Sequence, residues 1–291
     1  MRRRQAAGLT TVVVGAIGAA VATAVVLSDE PAKTVDQPVK AVVAALPELP
    51  RTYVALGSSY ASGSGGNEVS GTRCQQSVDS YPRQIAAALD MRLVDATCSG
   101  ATTKNILRVP QAPLVDRPQI DAVSRDTDLV TITAGGNDID YFGRMMAMSC
   151  ANTGCGRGGP APEPTAANYQ AVEDALVETI GAVRARAPHA TIVVVNYPPA
   201  VEPSARKCPD LALTDHQVAE ITHVHDELGA ATARAAQKAG AVLVDTSKLG
   251  ADHTVCSAQP WLDGIKSSAP YHPNARGRTA MADLVLAALR A

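Results

Sequence analysis

LVTITAGGND, Leu129–Asp138, is the stretch on which the reading of the fold turns. Leu129–Thr133 is an apolar, β-branched run that forms a strand, and Ala134-Gly135-Gly136-Asn137-Asp138 ends it abruptly in a loop. The same succession recurs along the chain. Tyr53–Leu56 is a short strand running into Gly57-Ser58-Ser59-Tyr60, and Arg92–Ala96 runs into Cys98-Ser99-Gly100-Ala101. Thr191–Val195 is the strongest strand and Val242–Val244 the last. Helical patterns separate them: an Ala-rich helix at Tyr81–Leu89, a long one at Ala166–Ala185, and one that runs to Lys238 from a capping box of Thr214 and Gln217. Asn274 caps a final helix with Met281, Leu284, Val285 and Leu289 on one face. Strands alternating with helices predict an α/β fold, a parallel sheet between helices on both sides.

The ends of the chain carry a different signal. Arg2, Arg3 and Arg4 precede an uncharged apolar run from Ala6 to Leu27, closed by Ser28-Asp29-Glu30. A positive flank before an apolar segment leaves the N-terminus inside and everything after it outside the cytoplasm. Two readings of residues 1–28 stay open: a signal peptide cleaved near Ala22-Thr23-Ala24, or an uncleaved membrane anchor, since about 20 residues suffice to span a bilayer. Residues 29–50, broken by Pro31, Pro38, Pro47 and Pro50, read as a linker. Residues 51–291 then form one domain, expected to be a monomer. A net charge of -2, one Trp and one Phe give no case for nucleic acid.

Six cysteines, at 74, 98, 150, 155, 208 and 256, all follow the apolar run. Their even number suits three disulfides in an oxidising compartment, in any of fifteen connectivities. None is spaced CxxC and no His lies at finger spacing, so no metal is expected. P-loop, GxGxxG and GxSxG motifs are absent, which disfavours nucleotide binding and the α/β-hydrolase fold.

In a parallel sheet, sites form where loops leave the carboxyl ends of strands. Those loops, with Tyr271-His272-Pro273-Asn274, hold one group of each kind that attack on an ester needs. Ser59, after a tight Gly turn, offers a hydroxyl and its own N–H. Gly100 offers a second N–H, Asn137 a neutral side-chain donor, and His272 a base.

Taken together, Tyr53-Val-Ala-Leu-Gly-Ser-Ser-Tyr60, Gly100, Gly135-Gly-Asn-Asp138 and His272-Pro-Asn274 resemble blocks I, II, III and V of the SGNH (GDSL-type) hydrolases. The resemblance runs in chain order from about residue 52 to 291 and is closest to the actinobacterial secreted lipase and esterase branch. It implies a three-layer flavodoxin-like fold, no cofactor or metal, Ser59 as nucleophile, and His272 as base in a dyad or triad. It further implies an oxyanion hole of the Ser59 N–H, the Gly100 N–H and the Asn137 side chain. Six cysteines paired in sequence, as in that branch, map onto Cys74–Cys98, Cys150–Cys155 and Cys208–Cys256.

Two positions depart from the pattern. The usual Gly-Asp-Ser reads Gly57-Ser58-Ser59, and the Asp three residues before the His is Ala269. A backbone carbonyl at Ala269 is the expected replacement for that carboxylate, with Asp263 as the nearest acidic residue upstream. His225 reads as a core position rather than a metal ligand with His223, and Trp261 as packing. Ser149–Pro164, rich in Gly and Pro, reads as a rim loop. The activity expected is hydrolysis of small-molecule or lipid acyl esters outside the cytoplasm. The alternatives are acyl transfer at the same site, or a non-catalytic envelope-binding module on a degenerate scaffold.

Overall fold

The computed structural model describes residues 51–156, 158–202 and 208–291. The signal or anchor segment and the linker lie outside the described residues. Five strands, β1 (Thr52–Gly57), β2 (Arg92–Asp95), β3 (Thr127–Thr133), β4 (Thr191–Val195) and β5 (Val242–Val244), form one parallel sheet in the order β2-β1-β3-β4-β5. The helices in chain order are α1 (Ser59–Ser62), α2 (Tyr81–Ala88), α3 (Thr103–Leu107), α4 (Tyr141–Thr153), α5 (Ala166–Arg186), α6 (Asp215–Ala239), α7 (Thr246–Leu249) and α8 (Ala275–Ala288).

Period-2 alternation sends the strand residues into two cores. Val54, Leu56, Val130, Ile132, Ile192 and Val194 pack against Leu176 and Ile180 of α5 and Ile221 and Leu228 of α6. Tyr53, Ala55, Leu129, Val193 and Val195 meet Tyr81 and Ile85 of α2 and Met281 and Val285 of α8 on the other face. Burial on both faces is why the strands read as nearly continuous apolar runs. The layers are therefore helix, sheet, helix. In this strand order the switch point lies between β1 and β3, and a ligand belongs at the carboxyl ends of that pair. Gly57 and Thr133, their last residues, stand in register there.

The rim-loop expectation needs correction. Ser149–Thr153 is the end of α4, whose first part, from Tyr141, the sequence pattern did not reveal. Buried Met145, Met146 and Met148 hold that helix despite Gly143 and its polar C-terminal turns. Beyond Gly154, the extended segment is fastened by buried Arg144. That guanidinium pairs with Glu220 of α6 at 2.5 Å and donates to the carbonyls of Ala161, at 2.7 Å, and Pro162.

Cysteines 74 and 98, 150 and 155, and 208 and 256 are bonded in sequence, as the resemblance implied. The third pair closes the longest loop, 48 residues, and constrains the unfolded chain most. Replacing both of its cysteines by Ala is expected to cost roughly 2–5 kcal/mol in denaturant unfolding. A loss below 1 kcal/mol would show that this bridge is not a main constraint on the unfolded chain.

Candidate active site

β1 ends at Gly57, whose φ is +142° and where a Cβ would lie 2.4 Å from the Thr133 carbonyl oxygen. Only glycine lets the two strand ends approach this closely. The Gln119 side chain locks the turn, accepting the Gly57 N–H at 2.7 Å and donating to its carbonyl at 3.0 Å. The Ser58 N–H donates to the Thr133 carbonyl at 3.0 Å, and the chain enters α1. Ser59 opens that helix, so its N–H has no acceptor within the helix.

Ser58 is 2% exposed, and its hydroxyl stands beside the Tyr197 phenol. That phenol also accepts the Gly136 N–H at 3.1 Å, and burial pushes it up to about 12, so it stays neutral. The position where the Gly-Asp-Ser pattern has Asp is thus packed against an uncharged group that a hydroxyl suits.

Gly100 takes φ +82° in the loop after β2. Its neighbours are tied back, Ser99 N–H to the Cys74 carbonyl and Ala101 N–H to that of Cys98, which leaves the Gly100 N–H outside the pattern. Asn137, after β3, donates one amide hydrogen to the Ala101 carbonyl at 2.9 Å and keeps a second. Asp138 beside it accepts from the Thr103 hydroxyl at 2.5 Å, fixing one loop to the other.

His272 is 6% exposed, between the edge of Phe142 at 4.2 Å and Tyr60 at 5.3 Å between ring centres. Its Nδ1 lies 3.0 Å from the Pro270 carbonyl oxygen. A carbonyl only accepts, so Nδ1 carries the proton and Nε2 is left as an acceptor. Burial lowers the imidazole from 6.5 to about 4, partly offset by that hydrogen bond, so it is neutral near pH 7.

The expected role of Ala269 is therefore corrected to Pro270. Ala269 turns its carbonyl to the His272 backbone N–H, at 3.3 Å, to close the turn, and Pro270 is the residue whose carbonyl meets the ring. Asp263 meets His272 only through backbone: its N–H donates to the His272 carbonyl at 2.9 Å. Its carboxyl is raised by burial, partly offset by the nearby charge of Arg278.

The structure also joins the two ends of the site through residues that sequence reasoning passed over. The Tyr60 hydroxyl donates to the Tyr271 carbonyl at 2.6 Å, linking the neighbour of Ser59 to the neighbour of His272. Tyr271, with φ +59°, is held by a hydroxyl contact of 2.6 Å with Ser149, and Tyr60 packs edge-on against Tyr197 at 4.9 Å. Tyr197 lies two residues past the end of β4, so the rule of strand ends contained its signal; Phe142 and Tyr271 needed the tertiary fold. His225 is buried with Nε2 2.8 Å from the Tyr197 carbonyl oxygen, and Trp261 stacks on His253 at 4.3 Å, both as expected of packing residues.

Two cavities adjoin these loops. One of 380 Å³ is bordered by His272, Ser99 and Phe142. The other, of 320 Å³, is bordered by Asn137 and by Ala171, Val172 and Ala175 of α5.

Residues 55–280 match the model of the GDSL-like Lipase/Acylhydrolase family. The chain is 37% identical to Lipase 2 of Streptomyces coelicolor over 79% of its own length and 83% of that protein's. It is 32% identical to a lipase of Streptomyces rimosus, over 78% and 82%. The crystal structure of the extracellular lipase of Streptomyces rimosus superposes with a TM-score of 0.66 at 30% identity, covering 81% of this chain and 99% of that one. Phospholipase A1 of Streptomyces albidoflavus gives 0.65 at 26%, covering 82% and 99%.

Proposed function

Because the chain belongs to the GDSL-like lipase/acylhydrolase family and is a carboxylic ester hydrolase, we propose that it cleaves acyl esters through an acyl-Ser59 intermediate outside the cytoplasm. His272 Nε2 takes the Ser59 proton as the hydroxyl attacks the ester carbonyl. The Ser59 N–H, the Gly100 N–H and the free Asn137 amide hydrogen receive the oxyanion. The tetrahedral intermediate collapses, and His272 returns the proton to the departing alcohol. Water then repeats the sequence on the acyl-enzyme, releasing the acid. Apart from the ester and the water, each step uses groups of this chain.

The observation that carries this reading is the bond between His272 Nδ1 and the Pro270 carbonyl. It leaves a buried, neutral imidazole presenting Nε2 as an acceptor, which is what a general base requires. Three disulfides support an exported destination, since such bonds persist in oxidising compartments. Sequencing the N-terminus of the mature protein separates cleavage near Ala24 from an anchor.

The pH profile tests the assignment of the base. With the imidazole at about 4, kcat/KM for a soluble p-nitrophenyl ester is expected to hold level through pH 6 and fall only near pH 4. An acid limb at the ordinary histidine value of 6.5 would contradict it. Stability follows the same group. The unfolded chain binds the proton more readily between pH 6.5 and 4, so this contribution is full above 6.5 and is lost as pH falls toward 4. At about 1.4 kcal/mol per pH unit the loss is about 3 kcal/mol.

A further inference from the structure

An oxyanion donor is effective only if it is aimed before the charge develops. Of the three proposed donors, the Ser59 N–H is set by the start of α1, and the Asn137 amide by its bond to the Ala101 carbonyl. The Gly100 N–H sits in a loop at φ +82°, where glycine has wide conformational freedom. A side chain from outside that loop restrains it.

The Gly100 N–H belongs to the peptide unit that begins at the Ser99 carbonyl. That unit is planar and trans, so its C=O and N–H point in opposite directions, and whatever fixes one aims the other. Gln111 Nε2 donates to the Ser99 carbonyl oxygen at 2.6 Å. The bond also polarises the unit, which strengthens the N–H as a donor. The Ser99 N–H is tied to the Cys74 carbonyl at 3.0 Å, but that bond anchors the preceding peptide unit.

Gln111 lies 12 residues beyond Ser99, past α3. Its own carbonyl accepts the Leu114 and Val115 N–H groups at 2.9 and 3.2 Å, a fixed turn from which the amide reaches back. A Cβ on Gly100 would stand 3.3 Å from Nε2, so the amide lies directly on the glycine. Oε1 is buried without a partner among the described residues, so only the Nε2 end of the amide is engaged. Reversing the amide would set two acceptors face to face.

We propose that Gln111 is a positioning residue for ester hydrolysis: by holding the Ser99 carbonyl it aims the Gly100 N–H at the oxyanion, a role that rests on the assignment of Gly100 above.

The test reads kcat and KM for p-nitrophenyl butyrate in wild type, Gln111→Leu and Gln111→Glu, each shown to be folded by circular dichroism under the assay conditions. Gln111→Leu removes the donor without adding charge. It should lower kcat about 10- to 100-fold with KM within about twofold, since a misaimed donor forfeits part of the 100- to 1000-fold that a whole one supplies. Relative to wild type, that loss should not vary with pH. Gln111→Glu offers only acceptors while ionised and regains a donor once protonated. Its kcat relative to wild type should therefore rise at least about fivefold from about pH 8 to about pH 5, where a partly buried Glu begins to bind its proton.

Wild-type kcat in Gln111→Leu, a loss confined to KM, or a Gln111→Glu ratio flat with pH would overturn the proposal. Should Gln111→Leu fail to fold, the pH response of Gln111→Glu decides alone. Asn137→Ala in the same assay separates the two levels of failure. If it shows the loss of an oxyanion donor while the Gln111 variants do not respond, the hydrolase reading stands and this proposal falls. If it too leaves kcat unchanged, the oxyanion hole is misassigned and both fall together.

Discussion

His272→Ala is expected to lower kcat/KM on the order of 10,000-fold or more, while Asp263→Asn stays within about tenfold of wild type. The first follows from the base itself: without it the Ser59 hydroxyl has no group to take its proton and the leaving alcohol none to supply one. The second follows from geometry. Nδ1 is already held 3.0 Å from the Pro270 carbonyl oxygen, which fixes the tautomer, and Asp263 meets His272 only through its backbone. A carbonyl lacks the full charge of a carboxylate and stabilises the imidazolium less, so the proposed apparatus has two residues, Ser59 and His272. Matching losses in Asp263→Asn and His272→Ala would show that the carboxylate reaches the ring in the working enzyme, a displaced triad.

Asn137→Ala is expected to reduce kcat by about 100- to 1000-fold with a much smaller change in KM, because an oxyanion donor acts on charge that develops only in the transition state. The same side chain bonds the Ala101 carbonyl at 2.9 Å, so the variant also loses a structural contact of about 1 kcal/mol. The two effects separate by measurement. A small fall in Tm with a large fall in kcat is the expected result; proportionate loss of both would make Asn137 a loop fastener rather than a donor.

Much of this architecture was legible in the residues because local chemistry and tertiary demand agree. Thr191–Val195 and Val242–Val244 are strands over the expected residues, and Tyr53–Leu56 extends by one residue at each end. The Thr214 and Gln217 capping box forms as written, and Asn274 accepts the Gly277 N–H at the start of α8. The placement of the candidate residues at strand ends was legible for a related reason: parallel order puts Gly57, Ala134 and the loop after β2 along one edge whatever the side chains do.

What was hidden depends on contacts far apart in sequence. The helix Tyr141–Thr153 has weak helix formers at both ends, Tyr141 to Gly143 and Ser149 to Thr153, and the packing of its methionines and the burial of Arg144 extend it over them. Which carbonyl meets His272 depends on the positive φ of Tyr271 and on the pull of Tyr60 from 211 residues away. Neither can be read from the spacing of Ala269 and His272. Ser58 departs from the familiar pattern without disturbing the turn because its partner, Tyr197, is a buried neutral phenol that the strand β4 delivers.

The central claim, that Ser59 carries the acyl group, is tested most directly by labelling the folded protein with a fluorophosphonate and mapping the modified peptide by mass spectrometry. The account predicts a single adduct on Ser59, lost in Ser59→Ala and kept in Ser58→Ala. An adduct on Ser58 or Ser64, or no adduct on a protein that hydrolyses esters, would contradict it.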